Sequence, residues 1–229
     1  MKFTIKLTLV FLLIIINNYW VKGQSIDNYN MWYQYIMNSK LTDKTNLTAL
    51  SQYRSFDLGG DGRLFLVNAY LEYEVAPGVE PGAGAMFLVL NSYNSKREKV
   101  TRYETRPFQQ VTLTGHIGRT LINHRFRVEE RFLNNPDEFK VRLRYLLSMR
   151  IPLGKTGQYY GILKNEVRIN ATKENIFDSN RITAGLGIKI SKASAFEFAF
   201  INQLGDHRTD NYAYIGFRNS FDWRKKDQQ

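Results

Sequence analysis

The chain has 229 residues, no cysteine and a formal net charge of +11, from 32 Lys and Arg against 21 Asp and Glu. With 43% hydrophobic residues it is neither disordered nor collagen-like, and the missing cysteines exclude disulfides, thiolate metal sites, a cysteine nucleophile and a lipoprotein anchor. The 14 Tyr and 15 Phe suit strands and membrane interfaces.

Residues 1–23 read as a secretory signal peptide. Lys2 and Lys6 precede the apolar run 7–16, and Val21 and Gly23 are small enough for the −3 and −1 positions of a cleavage site. That run, at ~1.5 Å per residue, is too short to cross a ~30 Å hydrocarbon core as a helix. Residues 24–229 then form a single exported domain. They contain no apolar stretch of the ~18 residues a transmembrane helix needs.

In the N-terminal half, strands are expected at 31–38, 46–56, 64–75, 83–91 and 108–114. Gly59-Gly60-Asp61-Gly62 and Pro77-Gly78-Val79-Glu80-Pro81-Gly82 read as turns. Residues 91–106, with Lys96, Arg97, Glu98 and Lys99, read as the longest loop. Asp57 and Asp61 hint at calcium, but the Glu that closes a calcium loop is missing, so the segment reads as a plain turn.

From residue 121 the pattern becomes regular, with polarity alternating at period 2 over 121–132, 139–151, 159–170, 180–191, 195–204 and 212–223. Phe126, Val128 and Phe132 share one face of the first of these, and Arg125, Arg127, Glu129 and Arg131 the other. Phe139, Val141, Leu143, Tyr145, Leu147, Met149 and Ile151 fill one face of the next, opposite Lys140, Arg142, Arg144, Ser148 and Arg150. The connections look short at 153–157 and 191–194 and longer at 171–179.

These strands are too long, and too charged on one face, for a small sandwich or for a cup that holds an apolar ligand. A strand of this length tilted ~40° spans a ~25 Å apolar band. The expected fold is therefore all-β: a transmembrane antiparallel up-and-down barrel, porin-like, in the outer membrane of a Gram-negative cell. Eleven strands are visible, whereas bacterial barrels normally close with an even number. The expected count is 10 to 12, with 12 in front.

Several stretches are similar to one family. They are His124-Arg125-Phe126-Arg127-Val128-Glu129-Glu130-Arg131-Phe132, then Arg142-Leu143-Arg144-Tyr145 with Ile151-Pro152-Leu153, then Asn165-Glu166-Val167. Phe177-Asp178-Ser179-Asn180-Arg181-Ile182-Thr183-Ala184-Gly185-Leu186-Gly187 continues the series, and Trp32 with Tyr53-Arg54 resembles its opening hairpin. The sequence thus resembles the Bacteroidota outer-membrane barrel family known as domain of unknown function number 2490. The resemblance implies fold and outer-membrane location, and it implies no activity.

The candidate functional element is the inward charge ladder. The phase of the strands places Arg125, Arg127, Glu129, Arg131, Arg142, Arg144, Arg150, Lys164, Glu166, Arg168 and Arg181 in the lumen. Lys140, Lys189, Arg218 and Glu197 are expected with them, and Glu72 and Glu74 from an earlier strand. Two readings follow: an anion-attracting narrow conduit, or a structural element whose Arg–Glu network fills the lumen. The alternatives are a lipid-acting outer-membrane hydrolase and a soluble secreted binding module. Hydrolysis would need a nucleophile–base pair, yet His124 falls on the outward face, His116 near a turn and His207 in a loop, with no Ser or Asp at a motif spacing. No cofactor or metal is called for. The expected partners are outer-membrane lipids and the barrel-assembly machinery. Nucleic acid is not expected, despite a pI of 9.7, because the basic residues alternate within strands.

Overall fold

The computed structural model describes residues 30–172, 176–205 and 209–224. The expected signal peptide lies outside these. The described residues form one closed sheet of eleven strands: β1 (Met31–Lys40), β2 (Thr45–Ser55), β3 (Gly62–Tyr73), β4 (Val79–Tyr93), β5 (Lys99–Ile117) and β6 (Thr120–Leu133), then β7 (Glu138–Leu153), β8 (Tyr159–Asn170), β9 (Phe177–Lys189), β10 (Ser194–Gly205) and β11 (Thr209–Asp222). Each expected strand has its counterpart.

The count is odd, where 12 was in front, and it has a topological consequence. Consecutive strands pair antiparallel, so direction alternates around the wall, and an odd number brings the first and last strands to the seam pointing the same way. β1 accordingly pairs β11 in parallel, from Met31↔Ala213 to Lys40↔Asp222. β1 is thus part of the closure. The start of β1 and the end of β11 therefore lie at opposite mouths of the barrel. The N-terminal mouth carries the connections 56–61, 94–98 and 134–137. The C-terminal mouth carries 41–44, 74–78, 118–119, 154–158 and 190–193. Among these described connections the contrast between short and long ends is slight.

The main departure concerns 91–106. Only 94–98 is loop; β4 runs on to Tyr93 and β5 starts at Lys99, with Asn91↔Thr101 and Tyr93↔Lys99 in register. Both faces of this extension are polar, which erases the period-2 signal on which the reading depended. Likewise the turn at 77–82 is mostly strand: β4 begins at Val79, and the reversal is made at Gly78. Gly78 has φ +73°, and a Cβ there would sit 2.4 Å from the Thr114 carbonyl oxygen, so only glycine fits. In the 56–61 loop, Asp57 Oδ1 accepts the amides of Gly59 (2.8 Å) and Asp61 (2.9 Å). It closes a turn rather than a calcium loop, and those amides hold its carboxyl below the usual range.

The wall is inverted relative to a soluble barrel. Phe65, Val67 and Leu71 on β3, Phe126 and Phe132 on β6, Phe139 and Leu143 on β7, and Phe196, Phe198 and Phe200 on β10 are all exposed on the outside. Between them along the same strands, Arg127, Glu129, Arg142 and Glu197 are buried inside. Aromatic pairs such as Phe132–Phe139 and Phe196–Phe217 tile the outer surface at centroid distances of 5.1 and 4.7 Å. Among the described residues no helix is long and apolar enough to cross a membrane, a fact that says nothing of strands.

Candidate functional site: the charged lumen

All eleven strands contribute to one internal cavity of about 1050 Å³. Ten of the eleven ladder residues line it directly: Arg125, Arg127 and Arg131 from β6, Arg142, Arg144 and Arg150 from β7, Lys164, Glu166 and Arg168 from β8, and Arg181 from β9. Glu129 lies behind them, fully buried. Of the other residues expected inside, Arg218 lines the cavity, and so does Glu72, which accepts hydrogen bonds from Gln110 (2.6 Å) and Thr112 (2.7 Å). Glu197 is buried between Tyr160 and Tyr214. Lys140 lies on the inner face opposite Arg131, paired with Glu138 near the strand end and outside the cavity lining. Two depart from expectation: Lys189 is exposed, and Glu74 lies in the turn beyond β3, where it accepts the Gly78 amide. Each sits where its strand runs out, and there the alternation stops assigning an inside.

The carboxylates are hubs. Glu129 accepts from Arg142 Nε (2.9 Å) and Nη2 (2.6 Å) and from Arg144, with Arg127 at 3.8 Å and Arg106 at 3.9 Å. Glu166 accepts from Arg144 (2.6 Å), Arg125 (3.0 Å) and Arg181 (3.2 Å). Glu104 is clasped by Arg106 (2.5 and 2.7 Å) and Arg131 (2.5 and 3.2 Å). A planar guanidinium spans two carboxylates, so Arg144 links two hubs, which a lysine could not do with the same geometry.

Charge does not balance within this network. Among the described residues, fourteen Arg and Lys side chains line the cavity. Nine carboxylates line it or are buried against it: Asp61, Glu72, Glu80, Glu166, Asp178, Glu104, Glu129, Glu197 and Asp210. Several buried guanidinium N–H groups have no acceptor, among them Arg54 Nε, Arg125 Nε, Arg168 Nε and Nη2, and Arg181 Nε. Arg54 instead lies over the Trp32 ring at 3.5 Å, with Arg181 over the same ring at 4.6 Å.

Sequence reasoning missed the opposite wall. Leu64, Leu66, Met86, Leu88 and Phe108 form a buried cluster inside the barrel, with Leu50, Tyr70 and Leu90 packed against it. All but Phe108 line the cavity. In β3, Leu64-Phe65-Leu66-Val67 is apolar on both faces, so no alternation reveals which residues point inward. Arg54, Arg63, Arg102 and Arg106, all cavity-lining, were missed for the same lack of phase in this half. The lumen is thus cationic on β6–β9, while β3 and β4 carry an apolar patch bordered by Arg63, Asn68, Glu72 and Glu80.

The histidines do not assemble a catalytic pair. His124 faces outward opposite Leu113 and Leu147, and its Nδ1 lies 2.8 Å from Tyr145 Oη. Ser148, one step along β7, lines the cavity on the other side of the wall. His116 lies near the end of β5, and His207 is outside the described residues. No group of three or more His, Asp or Glu among the described residues could hold a metal ion.

A family model described as "Protein of unknown function (DUF2490)" matches residues 29–214. No curated protein matches the chain. Among solved structures, the chain is similar to LpxR from Salmonella typhimurium, with a TM-score of 0.50 and 12% sequence identity over 90% of this chain and 93% of that one. At that identity the likeness is one of fold.

Proposed function

The chain belongs to the family described as protein of unknown function (DUF2490), whose model spans most of the barrel, and from that premise we propose that it is a non-enzymatic outer-membrane β-barrel whose lumen admits small anions. The apolar exterior supports the membrane: exposed Phe, Leu, Ile and Val on successive strands have water as their alternative to lipid. The observation that carries the lumen's role is the excess, among the described residues, of guanidinium and ammonium groups over carboxylates around a cavity of about 1050 Å³. Filling alone would be served by balanced pairs. Excess fixed positive charge within low-dielectric walls concentrates anions and excludes cations.

The hydrolytic alternative finds less support. An outward imidazole paired to a phenol lacks the nucleophile and the orienting carboxylate that such chemistry uses. Proteoliposomes containing residues 24–229 test the proposal. Small anionic solutes should enter faster than cationic solutes of equal size. Equal exclusion of both by a folded, heat-modifiable barrel would reduce the ladder to a filling, and cation preference would contradict the reading outright.

A further inference from the structure

The cavity has two chemically different walls, and they meet near the N-terminal mouth. Arg54 on β2 is in register with Leu64 on β3, and Leu64 with Leu90 on β4. Both leucines line the cavity beside the guanidinium group. On the cationic side, Arg54 and Arg181 flank Trp32, while Arg168 and Arg181 are nine-tenths buried or more. Arg54 and Arg181 share the Trp32 ring, and Arg168 lies diagonally across the β8–β9 pair from Arg181, one inward position beyond Glu166. Arg181 has Glu166 at 3.2 Å and Arg168 has Asp178 at 3.7 Å, but Arg54 has no ion pair among the described residues. Buried N–H groups on all three lack an acceptor.

Water in a cavity of this size can accept from those N–H groups. It cannot neutralise the surplus charge, and like charges held together out of bulk solvent are costly. A bound anion supplies both the acceptors and the charge. Three guanidinium groups with at least four orphaned N–H donors exceed what the two oxygens of a carboxylate can serve; a phosphate monoester offers three terminal oxygens and up to two charges. The adjoining Leu64, Leu66, Leu88 and Leu90 offer that anion nothing polar. They suit an alkyl chain.

We propose that the lumen binds an amphiphilic phosphate monoester, its head held by Arg54, Arg168 and Arg181 beside Trp32 and its alkyl chain laid along the leucines of β3 and β4. The proposal deepens the reading of an anion-admitting lumen and rests on it. Binding is nevertheless measured in detergent, without any flux, so the two can fail separately.

The experiment is calorimetric titration of the refolded barrel, in a neutral maltoside detergent, with inorganic phosphate and with ethyl, butyl and hexyl phosphate. At about 0.8 kcal/mol per buried CH₂, affinity should rise about fifteenfold for each two added carbons. Arg54→Gln and Arg181→Gln should each weaken hexyl phosphate binding at least tenfold. Leu66→Ser should flatten the chain-length series while leaving inorganic phosphate binding unchanged. The wild-type series requires no variant to fold. A flat series, or no phosphate binding by a heat-modifiable barrel, would overturn the proposal. So would a rising series unaffected by either Arg substitution. A barrel that binds hexyl phosphate in this way but passes no anions would keep the site and lose the conduit.

Discussion

Glu129 is the residue on which the network turns. It is fully buried, and Arg142 and Arg144 both donate to it. Glu129→Gln keeps the shape but leaves those guanidinium charges facing one another, and removing one partner of a buried ionic network costs about 3–5 kcal/mol. The denaturant midpoint of the barrel in detergent should fall accordingly, and a loss below about 1 kcal/mol would mean that water, not the carboxylate, keeps these arginines apart. Glu129 was legible in the sequence because Phe126, Val128 and Phe132 fix the phase of its strand. Arg54 was not, because the residues around it alternate too weakly to say which way it points. At the N-terminal mouth Asp57 offers a pH test. Its carboxyl is held below the ordinary range by the Gly59 and Asp61 amides, so its contribution is present above the unfolded value and is lost as pH falls through the folded one. The protection of the Gly59 and Asp61 amides, their exchange relative to the intrinsic rate at each pH, should therefore hold around neutral pH and fall only in strong acid. A fall in protection already near pH 6 would contradict that assignment.

Among the elements, β8 and β9 show how side-chain volume is shared across a curved wall. Gly187 is in register with Tyr160, whose ring lies across it, and a Cβ on Gly187 would come 2.1 Å from a Tyr160 ring carbon. Tyr160 in turn donates to Glu197 at 3.1 Å. Gly187→Val should therefore displace the ring, free Glu197 and lower the heat-modification temperature of the barrel, whereas Gly161→Val, whose Cβ would meet Ile151 at an ordinary 3.8 Å, should be far milder. Equal effects would show that strand propensity, and not the Tyr160 contact, decides. The elements themselves were readable from the sequence wherever one face is apolar and the other charged, as in β6 to β10. They blurred in β3, apolar on both faces, and in the first part of β5, polar on both. The parallel seam was not anticipated although eleven strands were visible, because the even count usual in bacterial barrels was set above the local count.

At the scale of the whole molecule, eleven strands and an inverted wall make two claims that measurement can separate. The first is sidedness. The connections 94–98 and 190–193 lie at opposite mouths, and the chain has no cysteine of its own. Single-cysteine variants Lys96→Cys and Lys192→Cys in sealed, uniformly oriented vesicles should therefore react with an impermeant maleimide from opposite sides. Reaction from the same side would break the topology. The second claim is the sign of the lumen. The most direct measurement is the zero-current potential of the refolded chain, residues 24–229, in a planar bilayer under a potassium chloride gradient. A reversal potential displaced toward the chloride equilibrium potential, and moved back toward zero by Arg54→Gln, is the predicted result. A potential displaced toward that of potassium would contradict a lumen governed by its unpaired guanidinium charge.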